Sequence, residues 1–133
     1  MSTVLVDSNV LLDILLPDPE WEAWSSDALS RAAEDAHLAI NRVIYAEVSV
    51  GFREVEALEE ALPSEIRRED LPWDAAFLAG KAFVRYRRGG GARSSRLPDF
   101  FIGAHAAVRG YTILTRDPRR YRRYFPTLRV VGP

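Results

Sequence analysis

Four acidic residues lie where segments that would build a protein core stop or turn. Asp7 and Asp117 each follow a short apolar run, Glu47 lies beside a helical apolar stripe, and Asp99 opens another apolar segment. A bare carboxylate is costly to bury, so such residues must be hydrogen-bonded, ion-paired or bound to a cation. Carboxylates that met at one point would repel each other unless a cation lay between them. All four together would form a site for a hard divalent metal ion.

The first and last of these acids also suit the N-cap of a helix. Asp7 is followed by two further capping residues, Ser8 and Asn9, and Asp117 is followed by a proline, which favours a helix start. If Ser8 or Asn9 caps the first helix, Asp7 is free to bind a metal. A capping Asp117 would keep one oxygen spare, and Thr115 could hydrogen-bond a neighbouring carboxylate.

The other two acids have equally ordinary alternatives. Glu47 could be a boundary glutamate that reaches water or pairs with an arginine. Asp99 could lie in a first helical turn, where a negative charge interacts favourably with the helix dipole. Gly103 lies one turn after Asp99, and we expect its missing side chain to leave room at a site. His105, on the same segment, is expected to pack or to hydrogen-bond on its helix.

The composition limits which ligands and metals are available. The chain has 133 residues, 47% of them hydrophobic, which predicts one globular domain over residues 1–133. There is no cysteine, which excludes disulfides, zinc–thiolate sites and a cysteine nucleophile. With only two histidines the candidate ligands are hard oxygens, and these favour Mg²⁺ or Mn²⁺ over zinc.

The N-terminal segment predicts neither a signal peptide nor a membrane span. It lacks a basic region, and its apolar stretch is interrupted by Asp7, Asn9 and Asp13. No cofactor-binding glycine loop of the Gly-x-x-x-x-Gly-Lys type is present. We therefore expect a cytoplasmic protein with no membrane partner.

Charge is distributed very unevenly along the chain. The net charge is only −1, but residues 1–84 are strongly acidic, and residues 85–123 hold 11 arginines against two acids. A polyanion would be attracted to the second segment, although a solvated arginine-rich face is the plain alternative. Tyr86 and Tyr121 could stack on unpaired bases, or simply pack. The arginines predicted to contact a substrate are Arg93, Arg96, Arg116 and Arg119.

Short apolar runs alternate with longer helical patterns, which predicts an α/β fold with a mostly parallel, buried sheet. In such sheets ligands bind beyond the carboxyl ends of the strands, where Asp7 and Asp117 are expected. The predicted strands are 3–6, 38–40, 112–114 and 128–131, and the predicted helices are 8–16, 20–36, one or two within 42–62, a short one at 64–69, 73–87 and 98–109.

Four motifs, taken together, are similar to one known family. They are Asp7-Ser8-Asn9-Val10-Leu11-Leu12-Asp13, Tyr45-Ala46-Glu47, Leu97-Pro98-Asp99-Phe100-Phe101-Ile102-Gly103-Ala104-His105-Ala106 and Leu114-Thr115-Arg116-Asp117-Pro118-Arg119-Arg120-Tyr121. In this order they resemble the PIN-domain ribonucleases, and more closely the VapC-type toxins of bacterial toxin–antitoxin pairs. The resemblance runs from Val4 to about Val131.

The resemblance implies a three-layer α/β/α fold with four to five short strands and a Mg²⁺- or Mn²⁺-dependent endoribonuclease. It further implies a homodimer and inhibition by a cognate VapB-type antitoxin. By position, Asp7, Glu47, Asp99 and Asp117 would form the catalytic quartet, with Asp7, Asp99 and Asp117 on the metal. Asn9 and Thr115 match the polar positions that support the quartet.

Other functions remain open at this point. The same fold could serve as a non-catalytic RNA- or protein-binding module. A Mg²⁺-dependent phosphotransfer domain fits less well, since its acids would cluster directly after the first strand. Neither the RNA target nor the dimer face follows from the sequence, although the apolar, Trp-bearing helix predicted over 20–36 is a candidate contact.

Overall fold

A single parallel sheet forms the centre of the molecule. The computed structural model describes residues 1–90 and 97–133, and within these ranges five strands pair in the order β3-β2-β1-β4-β5, every neighbouring pair parallel. This confirms the predicted α/β fold with a parallel sheet. The strands are β1 (Ser2–Val6), β2 (Ala36–Ile40), β3 (Arg67–Arg68), β4 (Thr112–Leu114) and β5 (Val130–Val131).

Helices connect successive strands and flank the sheet. The segment predicted as one or two helices over 42–62 contains two. In the described part of the chain the helices are α1 (Ser8–Leu15), α2 (Glu22–Asp35), α3 (Arg42–Ser49), α4 (Val55–Ala61), α5 (Trp73–Arg88), α6 (Leu97–Arg109) and α7 (Arg119–Tyr124).

The short helix predicted at 64–69 is wrong, because this segment contains the edge strand β3. Arg67 and Arg68 pair with Ala39 and Ile40 of β2, and the Glu69 N–H donates to the Ile40 carbonyl at 2.9 Å. Arg67 and Arg68 are exposed and polar, so the local sequence does not predict a strand here. The strand forms because the edge of β2 is free to pair, and this depends on the tertiary structure and not on the local sequence.

The sheet has its topological switch point beside its central strand. The chain leaves β1 for β2 on one side, and later returns to pair β4 on the other side of β1. Strand β1 is almost fully buried at its carboxyl end, and the Asp7 N–H directly after it donates to the Leu114 carbonyl at 2.9 Å. The residues that follow β1 and β4 therefore meet where α/β folds bind ligands.

Helix α6 is deeply buried beside this switch point. Phe100, Ile102, Ala104 and His105 are fully buried along it. A Cβ added to Gly103 would lie 2.4 Å from the Phe125 ring, so the space left by this glycine is filled by Phe125. The expectation that Gly103 opens room at the acidic site is therefore wrong.

Helix α2, considered above as a dimer contact, is directed toward its own core. Trp24, Ala28, Leu29 and Ala32 pack against the buried cluster beneath it. Its apolar stripe is thus partly buried within the chain, and its role as a dimer contact stays a prediction. Among the described residues, no helix is long and apolar enough to cross a membrane.

Candidate functional site

Asp7 is the centre of a hydrogen-bonded group at the switch point. It is 3% exposed, and its Oδ1 accepts from the Ser8 N–H at 2.8 Å, so Asp7 itself caps α1. Its Oδ2 accepts from the Thr115 hydroxyl at 2.8 Å and from the Tyr121 hydroxyl at 3.0 Å. The capping and site roles, first treated as alternatives, are compatible because the two oxygens face different partners.

The environment of Asp7 opposes its ionisation. Burial, followed by repulsion from Asp99, raises its pKa to about 6, and Glu47 adds a smaller repulsion. The hydrogen bonds from Thr115 and Tyr121 act in the opposite direction, since they favour the carboxylate. Burial and the nearby acids raise the pKa of Tyr121 well above its usual value, so its hydroxyl stays protonated and donates.

Glu47 reaches the same group from α3. Its Oε1 accepts from the Ser8 hydroxyl at 2.8 Å, so Ser8 links Asp7 through its backbone and Glu47 through its side chain. Burial raises the pKa of Glu47, the Ser8 hydrogen bond lowers it, and Asp99 raises it again. Glu47 is therefore a partly buried carboxylate with an increased affinity for a proton.

A buried hydrogen bond between two helices fixes where α3 carries Glu47. Asn41 caps α3 by accepting the Ile44 N–H at 2.9 Å, and its amide nitrogen lies 2.9 Å from His105 Nδ1 on α6. Burial lowers the pKa of His105, which favours the neutral ring. His105 thus has the structural role expected for it, because it ties the helix that carries Glu47 to the helix that carries Asp99.

Asp99 lies in the first turn of α6 and forms an ion pair with Arg120 of α7. Both side chains are partly buried, and Arg120 balances the charge of Asp99. Sequence reasoning placed Arg120 only among a run of nearby arginines. The sequence did offer one signal, the run Arg119-Arg120-Tyr121 after Asp117. Successive residues of a helix point in different directions, so only some residues of this run can face the acids.

Asp117 lies on the loop that follows β4. It is exposed, its N–H donates to the Thr115 hydroxyl at 3.1 Å, and Pro118 rather than Asp117 caps α7. Within residues 1–90 and 97–133, no hydrogen bond or ion pair joins the Asp117 carboxylate to the other acids. Asn9 holds this loop, because its amide donates to Thr115 at 3.2 Å and its carbonyl accepts the Arg116 N–H at 3.2 Å.

A second buried acid, which the sequence did not single out, explains Arg116. Asp13 is 2% exposed and accepts from the Ser25 hydroxyl at 2.8 Å. Arg116 donates from Nε and Nη2 to the two carboxylate oxygens of Asp13, at 2.8 and 3.1 Å, and its guanidinium lies 5.4 Å from the Trp21 ring centre. The prediction that Arg116 contacts a substrate thus gains no support.

The other residues predicted to contact a substrate differ in where the structure places them. Arg119 is exposed on α7, whereas Arg93 and Arg96 lie outside the described residues. The stacking role suggested for Tyr121 is wrong, because its ring is buried and its hydroxyl bonds to Asp7. Tyr86 packs among aromatic residues, with ring centres 5.3 Å apart between Tyr86 and Phe100.

The donor chemistry of this group suits a hard divalent cation. Asp7, Glu47 and Asp99 offer only oxygen ligands and repel one another, and a bound cation would relieve this repulsion. No three acidic or histidine side chains of the described ranges are already arranged as a metal site. Asp99 would have to exchange Arg120 for the ion.

An open cleft of about 500 Å³ includes Glu47 in its lining. Ser8 and Arg116 line it as well, together with the apolar side chains of Leu16 and Val50. Leu16 is 44% exposed and Val50 is 87% exposed, so the cleft offers apolar surface to a partner.

The sequence matches the family model of the PIN domain over residues 4–126. No curated protein matches the chain's sequence significantly. The range 4–126 includes Asp7, Glu47, Asp99 and Asp117.

Solved structures with the same fold come from bacterial toxin–antitoxin complexes. VapBC2 from Rickettsia felis bound to promoter DNA has a TM-score of 0.75 at 17% identity, covering 98% of each chain. DNA-bound VapBC from Salmonella typhimurium has a TM-score of 0.73 at 20% identity, covering 99% of this chain and 98% of the other. A toxin–antitoxin complex from Klebsiella pneumoniae has a TM-score of 0.70 at 24% identity, covering 98% and 97%.

Proposed function

The chain belongs to the PIN domain family, and on that premise we propose that it is a Mg²⁺- or Mn²⁺-dependent endoribonuclease, the toxin of a VapBC-type toxin–antitoxin pair. The observation that carries this proposal is the buried Asp7 at the switch point, with its pKa raised by burial and by Asp99 and Glu47. A fold that needed only stability would not place three repelling acids beside its central strand. PIN domains of VapC toxins are nucleases in general.

In this proposal the catalytic residues for RNA cleavage are the quartet of Asp7, Glu47, Asp99 and Asp117. Asp7, Asp99 and Asp117 hold the cation, which when bound supplies positive charge at the phosphate and lowers the pKa of an attacking water. Thr115 and Tyr121 fix Asp7, and Asn9 fixes Thr115.

Glu47 has the properties of a general base. It is partly buried, its pKa is raised, and the Ser8 hydroxyl holds one of its oxygens at 2.8 Å. A carboxylate with increased proton affinity can accept a proton from water more readily near neutral pH. We therefore assign Glu47 to water activation and the aspartates to cation binding.

The RNA substrate is supported by the arginine-rich half of the chain. Exposed Arg119, Arg122 and Arg123 on α7 follow directly after the loop that carries Asp117. Their charge would offset the repulsion between the acids and a phosphate backbone. Arg93 and Arg96 remain predicted contacts from the sequence alone.

The proposed partner is a VapB-type antitoxin. The structural neighbours are toxin–antitoxin complexes, and the exposed apolar side chains of Leu16 and Val50 lie in the same cleft as Glu47, where they would suit an antitoxin segment. The homodimer, the cytoplasmic location and the single domain over 1–133 stay predictions.

An RNA-cleavage assay with single variants tests the nuclease assignment. Asp7→Asn and Asp99→Asn should each lose activity by about 100-fold or more in Mg²⁺, because each removes a charge that holds the cation. Asp27→Asn, an exposed acid that pairs with Arg31 on α2, is the matched control and should keep full activity. Full activity of either site variant would refute the assignment.

One observation favours a second candidate, a non-catalytic RNA- or protein-binding module. Arg120 already neutralises Asp99, so part of the acidic group is balanced without a cation. A binding module would retain RNA in the same assay without cleaving it, with or without Mg²⁺.

A further inference from the structure

Helix α7 holds two of the site acids with successive residues. Arg120 forms the ion pair with Asp99, and the Tyr121 hydroxyl donates to Asp7 Oδ2 at 3.0 Å. Tyr121 and Phe125, the residue after the helix, are buried and anchor α7 in the core. The Arg120 side chain, by contrast, is 21% exposed. It can therefore change its partner without any movement of the helix.

The Arg120–Asp99 contact is less constrained than the ion pair of Arg116 with Asp13. Arg120 donates from Nη1 to one carboxylate oxygen of Asp99, whereas Arg116 donates from two nitrogens to both oxygens of Asp13. Asp99 is also the more exposed acid of the two. Paired hydrogen bonds fix a guanidinium in place, and a pair that is open to water is held less firmly. The partner of Asp99 is therefore one that another cation can replace.

The charge of Asp99 acts on both of the other acids in this group. Burial raises the pKa of Asp7 and of Glu47, and repulsion from Asp99 raises both further. Arg120 thus supplies positive charge where a divalent cation would relieve the same repulsion. A cation that binds Asp99 must compete with Arg120, so the pair lowers the apparent affinity of the protein for that cation.

From these contacts we propose that Arg120 is a phosphate-binding residue with two alternative partners: Asp99 when no divalent cation is bound, and a phosphate group of the RNA when one is. A guanidinium binds phosphate oxygens by the same charged hydrogen bonds that it makes to a carboxylate. Because Tyr121 anchors the neighbouring backbone beside Asp7, the released side chain stays close to the acids.

The two exchanges of partner are linked. Arg120 is released for phosphate when Asp99 binds the cation, and Asp99 is released for the cation when Arg120 binds phosphate. Cation binding and RNA binding therefore favour each other. The proposal rests on the nuclease function proposed above and adds a substrate-binding residue to it.

Mg²⁺ binding in the absence of RNA is the first test. The apparent dissociation constant for Mg²⁺ follows from the rise in melting temperature of the whole protein as the ion is added. Arg120→Gln should lower this constant by at least about fivefold, because the side chain no longer competes for Asp99. Arg109→Gln is the matched control and should leave the constant unchanged. It removes the same charge from an exposed position in the last turn of α6, the helix whose first turn carries Asp99.

RNA cleavage at saturating Mg²⁺ is the second test. Arg120→Gln should lower kcat/KM by about tenfold or more, because a contact to phosphate is lost, whereas Arg109→Gln should cleave as the wild type does. Loss of a purely structural contact would weaken Mg²⁺ binding and cleavage together, so tighter Mg²⁺ binding with slower cleavage is specific to the proposed exchange. Arg120→Met also removes the charge and keeps an unbranched side chain, and it replaces Arg120→Gln if that variant does not fold, with the same expected results.

Two results would overturn the role of Arg120 alone. One is a dissociation constant for Mg²⁺ in folded Arg120→Gln that equals or exceeds the wild-type value. The other is wild-type kcat/KM in this variant at saturating Mg²⁺. Failure of the nuclease assignment has a different signature, since the wild type and Arg109→Gln would then show neither an Mg²⁺ effect nor cleavage, and both proposals would be wrong.

Discussion

At the residue scale, Asp7 combines two roles that sequence reasoning weighed as alternatives. It caps α1 through Oδ1 while Oδ2 receives Thr115 and Tyr121. The sequence predicted that Thr115 could bond a neighbouring carboxylate, and this hydrogen bond is present. Tyr121 is separated from Asp7 by 114 positions, so its contact depends on the folded chain. The assignment of these residues to catalysis stays a prediction.

The buried His105 predicts a specific pH dependence of stability. Burial lowers its folded-state pKa below the ordinary 6.5, so the folded protein favours the neutral ring more than the unfolded chain does. This contribution to the free energy of unfolding is fully present above pH 6.5 and is lost as the pH falls through the lowered pKa. Asp7 and Glu47, whose pKa values are raised, act in the opposite direction over this range, so the test compares variants. In urea unfolding at pH 7.5 and at pH 5, lowering the pH should be more favourable to the stability of His105→Gln than to that of the wild type.

His37 provides the control for this measurement. It lies partly exposed on β2, away from the Asn41–His105 contact. The His37→Gln variant should therefore keep the wild-type pH dependence. If His105→Gln kept it as well, His105 would make no contribution to the pH dependence of stability, and the prediction would be wrong.

At the element scale, the apolar strands and amphipathic helices could be predicted because their patterns are local. Strand β3 could not, because it depends on the free edge of β2. Helix α5 was predicted over 73–87, but the helical spacing of its apolar residues does not tell whether Trp73 and Phe77 face the core or the solvent. The small residues Ala75, Ala79 and Ala82 occupy the buried face instead, and they allow close packing against α6.

The contact of Gly103 with Phe125 predicts how adding a methyl group at position 103 would change stability. Gly103→Ala should lower the free energy of unfolding by roughly 1–3 kcal/mol, since its Cβ would overlap the Phe125 ring and the core must shift. Chemical denaturation measures this directly. Gly103→Ala combined with Phe125→Leu should recover part of the loss. A fully stable Gly103→Ala would mean that the ring moves freely.

At the scale of the whole molecule, most acids lie within residues 1–84 and most arginines within residues 85–123, and the fold brings members of both sets together beyond the carboxyl ends of β1 and β4. The charge asymmetry was readable from the sequence, but the sequence did not reveal which arginines are engaged. Arg116 binds the buried Asp13 and Arg120 binds Asp99, whereas Arg119 is exposed. Only the fold separates structural arginines from those available to a polyanion.

The central claim is that Asp7, Asp99 and their neighbours bind a divalent cation, and Mg²⁺-linked thermal stability tests it most directly. A ligand that binds only the folded state at about 100 times its dissociation constant adds about 2.7 kcal/mol. Wild type and the control Asp27→Asn should therefore melt at a higher temperature as Mg²⁺ is added, whereas Asp7→Asn and Asp99→Asn should show little change. An equal Mg²⁺ effect in all four proteins, or none in the wild type, would contradict the claim.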